Sequence, residues 1–118
     1  MDAWIRAQYT NKLQLHVLGI TNIPEEVLGF HNLTSLSLVG NALDEVAEDI
    51  RNLVLLKTLN LRNNIIDHIP ESIGKLQDLK LLEHLRAAFN NLTQLPQTLG
   101  KLQHLHSLDV SFNKLQVP

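Results

Sequence analysis

The sequence predicts an α/β solenoid, an arc with short parallel β-strands on the concave side and irregular, 3-10 or helical returns on the convex side. The main observation is a repeat, because residues 56–76 read L-x-x-L-x-L-x-x-N-x-L-x-x-I-P-x-x-I-x-x-L. The same spacing recurs from Leu33 to Leu53 and from Leu105 to Leu115. Chance does not repeat so long a pattern, so each copy indicates one coil of a stacked array.

Composition supports a stacked core built from aliphatic side chains. Of the 118 residues, 44% are hydrophobic but only 4% are aromatic, so leucine and isoleucine must fill the interior. The net charge of -2 provides no overall attraction to nucleic acid, and we expect no nucleic-acid partner. No apolar run approaches the roughly 18 residues of a membrane helix, so we expect no membrane insertion. The lack of cysteine favours a cytoplasmic location.

The first ten residues match no repeat and are predicted to cap the solenoid. Asp2 is a favourable N-cap for a short helix in which Trp4, Ile5 and Tyr9 supply apolar surface. The first core layer of a solenoid needs such a cover, because no coil precedes it. We therefore expect Trp4 to serve as part of a lid rather than to stack on a ligand.

A polar residue recurs inside this otherwise apolar pattern. Buried amides are tolerated where hydrogen bonds satisfy them, so we predict that the recurring asparagines bond backbone groups of their own and neighbouring coils. This structural role argues against a catalytic one. Leu18 holds the position in the first repeat, at the end of the stack. The predicted asparagine ladder consists of Asn41, Asn64, Asn90 and Asn113.

The repeat length changes once along the chain. From Leu18 onward the ladder positions are 23, 23, 26 and 23 residues apart, so one repeat carries an extra triplet. We predict that the triplet adds a helical turn on the outer side between Glu71 and Leu82; a bulge that reshapes a binding surface is the alternative. Residues 11–118 are predicted to form the repeat domain, with about five repeats of which the last is incomplete.

Side-chain alternation along each strand divides residues between core and surface. The leucines of each L-x-L segment point inward, and the residues between them, with Ala88 among them, face the concave side. This face is mildly basic, since most carboxylates fall in loops and returns. Arg62 and Arg86 are expected on adjacent strands about 4.8 Å apart, where an acidic partner group would relieve their repulsion. The predicted partner-binding residues are Lys12, Gln14, His16, Ser35, Ser37, Val39, Thr58, Asn60, Arg62, His84, Arg86, Ser107, Asp109 and Ser111.

The sequence contains no set of residues that indicates catalysis or metal binding. Its serines have no histidine and acid at the spacing of a nucleophilic triad. His104 and His106 are spaced like metal ligands, but no cysteine or acidic cluster stands beside them. We therefore predict no catalytic residue, no metal site and no cofactor, and a chain that is not an enzyme.

The repeats resemble those of leucine-rich repeat proteins over about residues 11–116. The segments IPESIGKL (69–76) and LPQTLGKL (95–102) are similar to the 23-residue class found in cytosolic Ras-pathway scaffolds, Ras-suppressor proteins and scribble-type polarity proteins. The resemblance implies a leucine-rich repeat solenoid that binds a protein partner on its concave face and acts as a scaffold in intracellular signalling. The sequence departs from the pattern at Leu18, at Ala47 in place of proline and at Ala87 in place of leucine.

Two further interpretations stay open. One is a recognition domain or fragment of a larger multidomain protein, of the receptor or ubiquitin-ligase type, whose activity lies elsewhere. The other is self-association. The repeats stop at residues 115–118 before an outer return, which would leave Leu105, Leu108 and Val110 exposed, so we predict association through this uncapped C-terminal edge.

Overall fold

The structure, a computed structural model, describes residues 2–74 and 81–116. Within these residues, five short strands alternate with helical or irregular returns, and each strand opens one coil, numbered 1 to 5 in chain order. The strands are β1 (Lys12–Gln14), β2 (Ser35–Ser37), β3 (Thr58–Asn60), β4 (His84–Arg86) and β5 (Ser107–Asp109). The helices are α1 (Ala3–Thr10) and α2 (Glu25–Leu28), and the 3-10 helices are η1 (Glu48–Asn52), η2 (Glu71–Gly74) and η3 (Gln97–Lys101).

The strands form one parallel sheet in the order β1-β2-β3-β4-β5. Their register is continuous even where the spacing rises to 26 residues, because Thr58 of β3 lies opposite His84 of β4. The extra triplet is therefore accommodated outside the strands. The helical turn predicted for it falls largely on residues 75–80, which lie outside the described residues.

Inward side chains of the strands form the apolar core. Leu36, Leu59 and Leu85 occupy equivalent positions and are fully buried. Ala87, which replaces a leucine, is also buried. Each buried leucine contributes about 1.5–3 kcal/mol relative to an exposed one, so these rows hold neighbouring coils together. The predicted fold class is confirmed, since parallel strands line one side and short α or 3-10 turns form the returns.

The returns begin at a residue with extended backbone geometry. Pro24 has φ -60° and ψ 142°, and Pro96 has φ -66° and ψ 138°. Proline is suited to this place because its ring fixes φ near these values. Ala47 adopts φ -61° and ψ 137°, so its departure from the repeat pattern leaves the geometry of the return unchanged.

Helix α1 packs against the first core layer. The backbone N–H of Trp4 donates to the Asp2 carboxylate at 2.7 Å, which confirms the N-cap. Ala7 is fully buried and the Trp4 ring packs against the core, which confirms its role as a lid. Ile5 and Tyr9 are exposed, so the prediction that they supply buried apolar surface is wrong.

The opposite end of the stack presents apolar side chains to solvent. Leu108 is 40% exposed, and Leu115 is exposed to a similar extent. Leu105 and Val110 are only partly buried. The predicted exposure of the last layer is therefore confirmed within the described residues.

Candidate functional site: the concave face and its edge

The asparagine ladder fixes the turn that follows each strand. In coil 3, the Asn64 side-chain oxygen accepts from the Leu43 N–H at 3.0 Å. The Asn64 amide donates to the carbonyls of Leu38 at 3.1 Å and Leu61 at 3.0 Å. Asn64 is only 7% exposed, so these bonds satisfy a buried amide. Asn41, Asn90 and Asn113 make equivalent bonds, which confirms the structural ladder.

Each ladder asparagine bonds its own coil and the coil before it. The Asn41 side-chain oxygen accepts from the backbone N–H groups of Leu18 and Ile20 in coil 1. Its amide donates to Leu15 of coil 1 and to Leu38 of its own coil. Coil 1 has only α1 before it, so it needs no asparagine. This direction of bonding explains why a leucine holds position 18.

Outward side chains line the concave face in three rows across the coils. Strand pairing, and the backbone hydrogen bonds that continue past the ends of the strands, place equivalent residues of successive coils one strand apart. These rows position most of the predicted partner-binding residues on one surface. They are Lys12, Ser35, Thr58, His84 and Ser107; Gln14, Ser37, Asn60, Arg86 and Asp109; and His16, Val39, Arg62, Ala88 and Ser111.

Two outward positions are not available to a partner. Ser37 is only 8% exposed, and its hydroxyl contacts Nε2 of His16 at 2.6 Å. Ala88 is buried as well. The prediction that these residues are open on the surface is therefore wrong. The His16 side chain covers Ser37, an effect that strand alternation does not take into account.

The predicted pairing of Arg62 with Arg86 is also wrong. Arg86 lies between Asn60 on one neighbouring strand and Asp109 on the other. Arg62 lies beyond the end of β3, where its carbonyl accepts from the Gly40 N–H. The two arginines therefore occupy different rows and are not direct neighbours across the sheet.

Asp109 offsets part of the basic charge of this face. Hydrogen bonds from the Ser111 hydroxyl at 2.6 Å and the Ser111 N–H at 3.1 Å lower the pKa of the Asp109 carboxyl below its ordinary value of 3.8. The charges of Arg62 and Arg86 lower the pKa further. The carboxylate is thus ionised at neutral pH, in the row that also holds Arg86.

Histidine and serine side chains also meet on this face. Nδ1 of His84 contacts the Ser107 hydroxyl at 3.0 Å. A Glu83 carboxylate oxygen lies 4.0 Å from Nε2 of the same ring. That distance is too long for a hydrogen bond, so these three groups lack the geometry of a nucleophilic triad.

A column of left-handed residues follows the concave face at the carboxyl ends of the strands. Each residue lies one position before the ladder site, and the repeat pattern alone did not predict this column. Its φ angles lie between 55° and 73°. Glycine and asparagine accept such angles readily, whereas valine and phenylalanine are strained there. The column consists of Val17, Gly40, Asn63, Phe89 and Phe112.

The aromatic members of this column stack on each other. The rings of Phe89 and Phe112 lie 4.3 Å apart between centroids, at an interplanar angle of 6°. The Arg62 guanidinium carbon lies 4.8 Å from the centroid of the Phe89 ring. Arg62, Asn63 and Phe89 also line a cleft of about 160 Å³. The edge of the concave face therefore carries a cation held against an aromatic pair.

Comparisons with known proteins agree with this geometry. The sequence model described as Leucine Rich Repeat matches residues 55–76. A leucine-rich repeat protein of Leptospira interrogans is similar in structure, with a TM-score of 0.82 and 34% identity over 88% of this chain and 26% of that chain. A chain of the BIR3–SERK2 complex of Arabidopsis thaliana gives a TM-score of 0.78 and 32% identity, over 89% of this chain and 57% of that one. The fold is a leucine-rich repeat solenoid.

A third similar structure is the plant peptide hormone receptor RGFR1 in complex with RGF2. Its TM-score is 0.75 and its identity is 35%, over 86% of this chain and 16% of that chain. The chain thus spans about a quarter of the Leptospira protein and little more than half of the Arabidopsis one. Comparison with curated protein sequences gave no match.

Among residues 2–74 and 81–116, no three histidine or acidic side chains come together in a way that could hold a metal ion. In the same part of the leucine-rich repeat chain, no helix has the length and apolar character needed to span a membrane. A convex cleft of about 470 Å³ lies beside Glu48, His68, Glu71 and Pro96.

Proposed function

We propose that this leucine-rich repeat chain is a non-enzymatic module that holds a protein partner on its concave face. The observation that carries the proposal is the rigid presentation of outward side chains. Parallel strand pairing and the buried ladder fix the backbone of each coil. Outward residues such as Lys12, Thr58 and His84 are therefore held in place on regular strands. Side chains held in this way can bind a partner with little loss of conformational entropy.

The similar structures support a protein as the partner class. One of them is a receptor in complex with RGF2, and another is part of the BIR3–SERK2 complex. Leucine-rich repeat domains are typically interaction modules, although a fold alone does not assign a function. A role as the recognition part of a larger receptor or ubiquitin ligase is the alternative proposal.

The charge of the concave face supports an acidic partner surface. Lys12 is exposed at one end of the sheet and Arg62 lies at the carboxyl edge. Within the described residues, no ion pair involves either side chain. Arg86 has Asp109 opposite it on the neighbouring strand. The charges of both arginines lower the pKa of Asp109, so this carboxylate offsets part of each charge. We place the acidic group of the partner at Arg62 because its guanidinium is also held against the Phe89 ring.

Site-specific photo-crosslinking tests the proposal. A photoreactive phenylalanine analogue placed at Thr58 would lie in the middle of the concave face. Placed at Asp49, it would lie on the exposed surface of η1. Irradiation in an extract of the native source should give a discrete adduct from position 58 and none from position 49. Adducts from position 49 alone would place the partner on the convex side and overturn the proposal.

Charge reversal tests the acidic character of the partner. Arg62→Glu combined with Arg86→Glu should weaken the captured complex and reduce the dependence of capture on salt. The matched control is Glu48→Lys on the convex side, which should leave capture unchanged. If the concave double variant captures the partner normally and the convex variant does not, the assignment of partner binding to the concave face is refuted.

The exposed layer at β5 favours self-association as a second function. Helix α1 covers the β1 edge, and the Thr10 hydroxyl contacts the Lys12 backbone N–H at 3.2 Å and C=O at 3.3 Å. A head-to-tail contact between copies is therefore obstructed. We propose that copies associate through their β5 layers, which makes the contact isologous and limits it to a dimer.

Cellular context stays a proposal as well. We propose a cytoplasmic scaffold in signalling, on the basis of the absence of cysteine and of the IPESIGKL and LPQTLGKL segments. Cell fractionation of the native source tests it, since recovery of the protein outside the cytosol would contradict this location.

A further inference from the structure

The left-handed column keeps large apolar side chains where glycine or asparagine would fit better. Phe89 has φ 58° and is 39% exposed, and Phe112 has φ 56° and is 71% exposed. Coils 2 and 3 use Gly40 and Asn63 at the same position, so the fold itself does not require an aromatic residue there. Strained and exposed phenylalanines that the fold does not need point to a role in binding.

The aromatic pair holds Arg62 in place. Coil 4 lies between coils 3 and 5, so Arg62 and Phe112 approach the Phe89 ring from opposite sides. A guanidinium packed on a ring keeps its N–H edge free for hydrogen bonds in the plane of the group. Within the described residues, no ion pair uses that edge. Arg62 is therefore a pre-positioned cation with no carboxylate in direct contact among the described residues, and Asp109 acts on it only at a distance.

We propose that Arg62, Phe89 and Phe112 form a docking site for a carboxylate in an extended segment of the partner. Arg62 donates two parallel hydrogen bonds to the carboxylate, and Phe89 and Phe112 act as positioning residues that also contact an adjacent apolar side chain. The proposal rests on the proposed function, because it assigns part of the same partner-binding surface. It goes beyond it by naming the chemical group that the partner supplies.

The surroundings of Arg62 favour a carboxylate as the occupant. The cleft of about 160 Å³ between Arg62, Asn63 and Phe89 has one fixed positive charge, one amide and one apolar wall. A planar carboxylate matches the guanidinium fork, and the amide of Asn63 provides a further donor. The exposed ring of Phe112, stacked on the other face of Phe89, suits an apolar neighbour in the partner segment.

Selection from a random peptide-display library tests the site without a known partner. Peptides selected on the immobilised 118-residue chain should carry Asp or Glu beside an apolar residue. Affinity of a synthetic selected peptide should fall at least tenfold for Arg62→Ala and also fall for Arg62→Lys, which keeps the charge but loses the fork. The matched control is Arg51→Ala on the convex side. The absence of an acidic consensus, or undiminished binding to Arg62→Ala, overturns the proposal.

Two synthetic versions of the peptide identify the source of the carboxylate. One replaces the selected Asp or Glu by its amide, and the other has an amidated C terminus. Loss of binding in the first version indicates a side-chain carboxylate, and loss in the second indicates the chain terminus; either result supports the site. Full binding by both versions overturns it.

Stability measurements separate a binding role from a structural one. Phe112→Asn and Phe89→Asn place a residue suited to positive φ in the column, as Asn63 already shows. Melting temperature should stay the same or rise, whereas affinity for the selected peptide should fall at least threefold. The control is Val17→Asn, in the same column but away from the stack, which should raise melting temperature and leave affinity unchanged. A fall in melting temperature without loss of affinity overturns the binding role.

The outcomes also distinguish this inference from the proposed function. Selected peptides that lose affinity for Thr58→Glu but bind Arg62→Ala normally would preserve concave-face binding and refute the docking site. If they bind both variants normally, and the crosslinker at position 58 gives no adduct, the concave-face proposal fails too.

Discussion

Replacing Asn64 by alanine is the most direct test of the ladder. The side chain bonds four backbone groups, but these do not depend on it equally. The Arg62 carbonyl, bonded at 3.4 Å, also accepts from the Gly40 N–H. The Leu38 carbonyl also accepts from Asn41 at 2.9 Å, and the Leu61 carbonyl also accepts from Asn90 at 3.0 Å. All three carbonyls therefore keep a partner in the variant. The Leu43 N–H, in contrast, donates to the Asn64 side-chain oxygen at 3.0 Å, and it loses this acceptor in the variant.

The expected cost follows from this difference. Leaving one buried N–H unpaired costs about 1–3 kcal/mol, and the loss of one of two donors at each carbonyl adds a smaller amount. Asn64→Ala should therefore lower the free energy of unfolding by about 2–4 kcal/mol. That is a large part of the about 5–15 kcal/mol by which domains are stable.

Asn113 gives the contrasting case. Its side-chain oxygen accepts from the Leu92 N–H at 2.9 Å, and its amide donates to Ala87 and Val110. The residue is only partly buried, so water can replace some of these bonds. The Ala87 carbonyl also keeps its bond from Asn90. Asn113→Ala should therefore cost about 1 kcal/mol.

Urea denaturation followed by circular dichroism measures both variants. With a urea dependence of about 1–3 kcal/mol per molar, Asn64→Ala should lower the midpoint by about 1–2 M. The exposed residue Asn52 supplies the control, and Asn52→Ala should change stability by less than about 0.5 kcal/mol. If Asn113→Ala is as costly as Asn64→Ala, the assigned layering of the ladder is wrong.

Two further predictions concern the C-terminal coil. Ser111→Ala should raise the pKa of Asp109, because bonds from Ser111 are the largest cause of its lowering; an NMR titration that finds the pKa unchanged would contradict this. Because the pKa of Asp109 is lower in the folded chain, its carboxylate stabilises the fold at pH values above the ordinary pKa of 3.8, and this stabilisation is lost as the pH falls. The free energy of unfolding of Ser111→Ala should therefore depend less on pH in the acid range. Leu108→Glu should abolish self-association, since it places a charge on the exposed layer; wild-type sedimentation as a monomer at every concentration would refute the proposed dimer.

The fold could be predicted from sequence because its patterns repeat. Alternation in each L-x-L segment places Leu59 and Leu61 inward, and both are fully buried. The asparagine at the ladder position of coils 2 to 5 requires bonds with the backbone, and the structure supplies them. The direction of that bonding could not be predicted, because the sequence does not show whether an amide reaches the preceding or the following coil.

The error over the two arginines arose because two outward residues on adjacent strands need not lie side by side. Counting back from the ladder places Arg62 two residues before Asn64 and Arg86 four residues before Asn90. The two arginines therefore occupy different rows, although both point outward on adjacent coils. The burial of Ser37 was not predictable in this way, because it depends on where the His16 ring lies.

The left-handed column could be inferred from sequence only in part. Gly40 and Asn63 are residues that favour positive φ, and each precedes a ladder asparagine. Val17, Phe89 and Phe112 give no such signal, since bulky residues avoid that conformation. The repeat geometry imposes the backbone angle at this position, whatever residue occupies it.

The ladder and the column therefore carry different functions at adjacent positions of each coil. Asn90 satisfies buried backbone groups, so changing it should cost stability. Phe89, one residue earlier, occupies a strained angle at a cost of order 1–3 kcal/mol and remains partly exposed. The bonds made by Asn90 fix the backbone that forces this angle on Phe89. The rigid ladder thus allows the neighbouring column to hold Phe89 against Arg62, an arrangement that a flexible loop would not maintain.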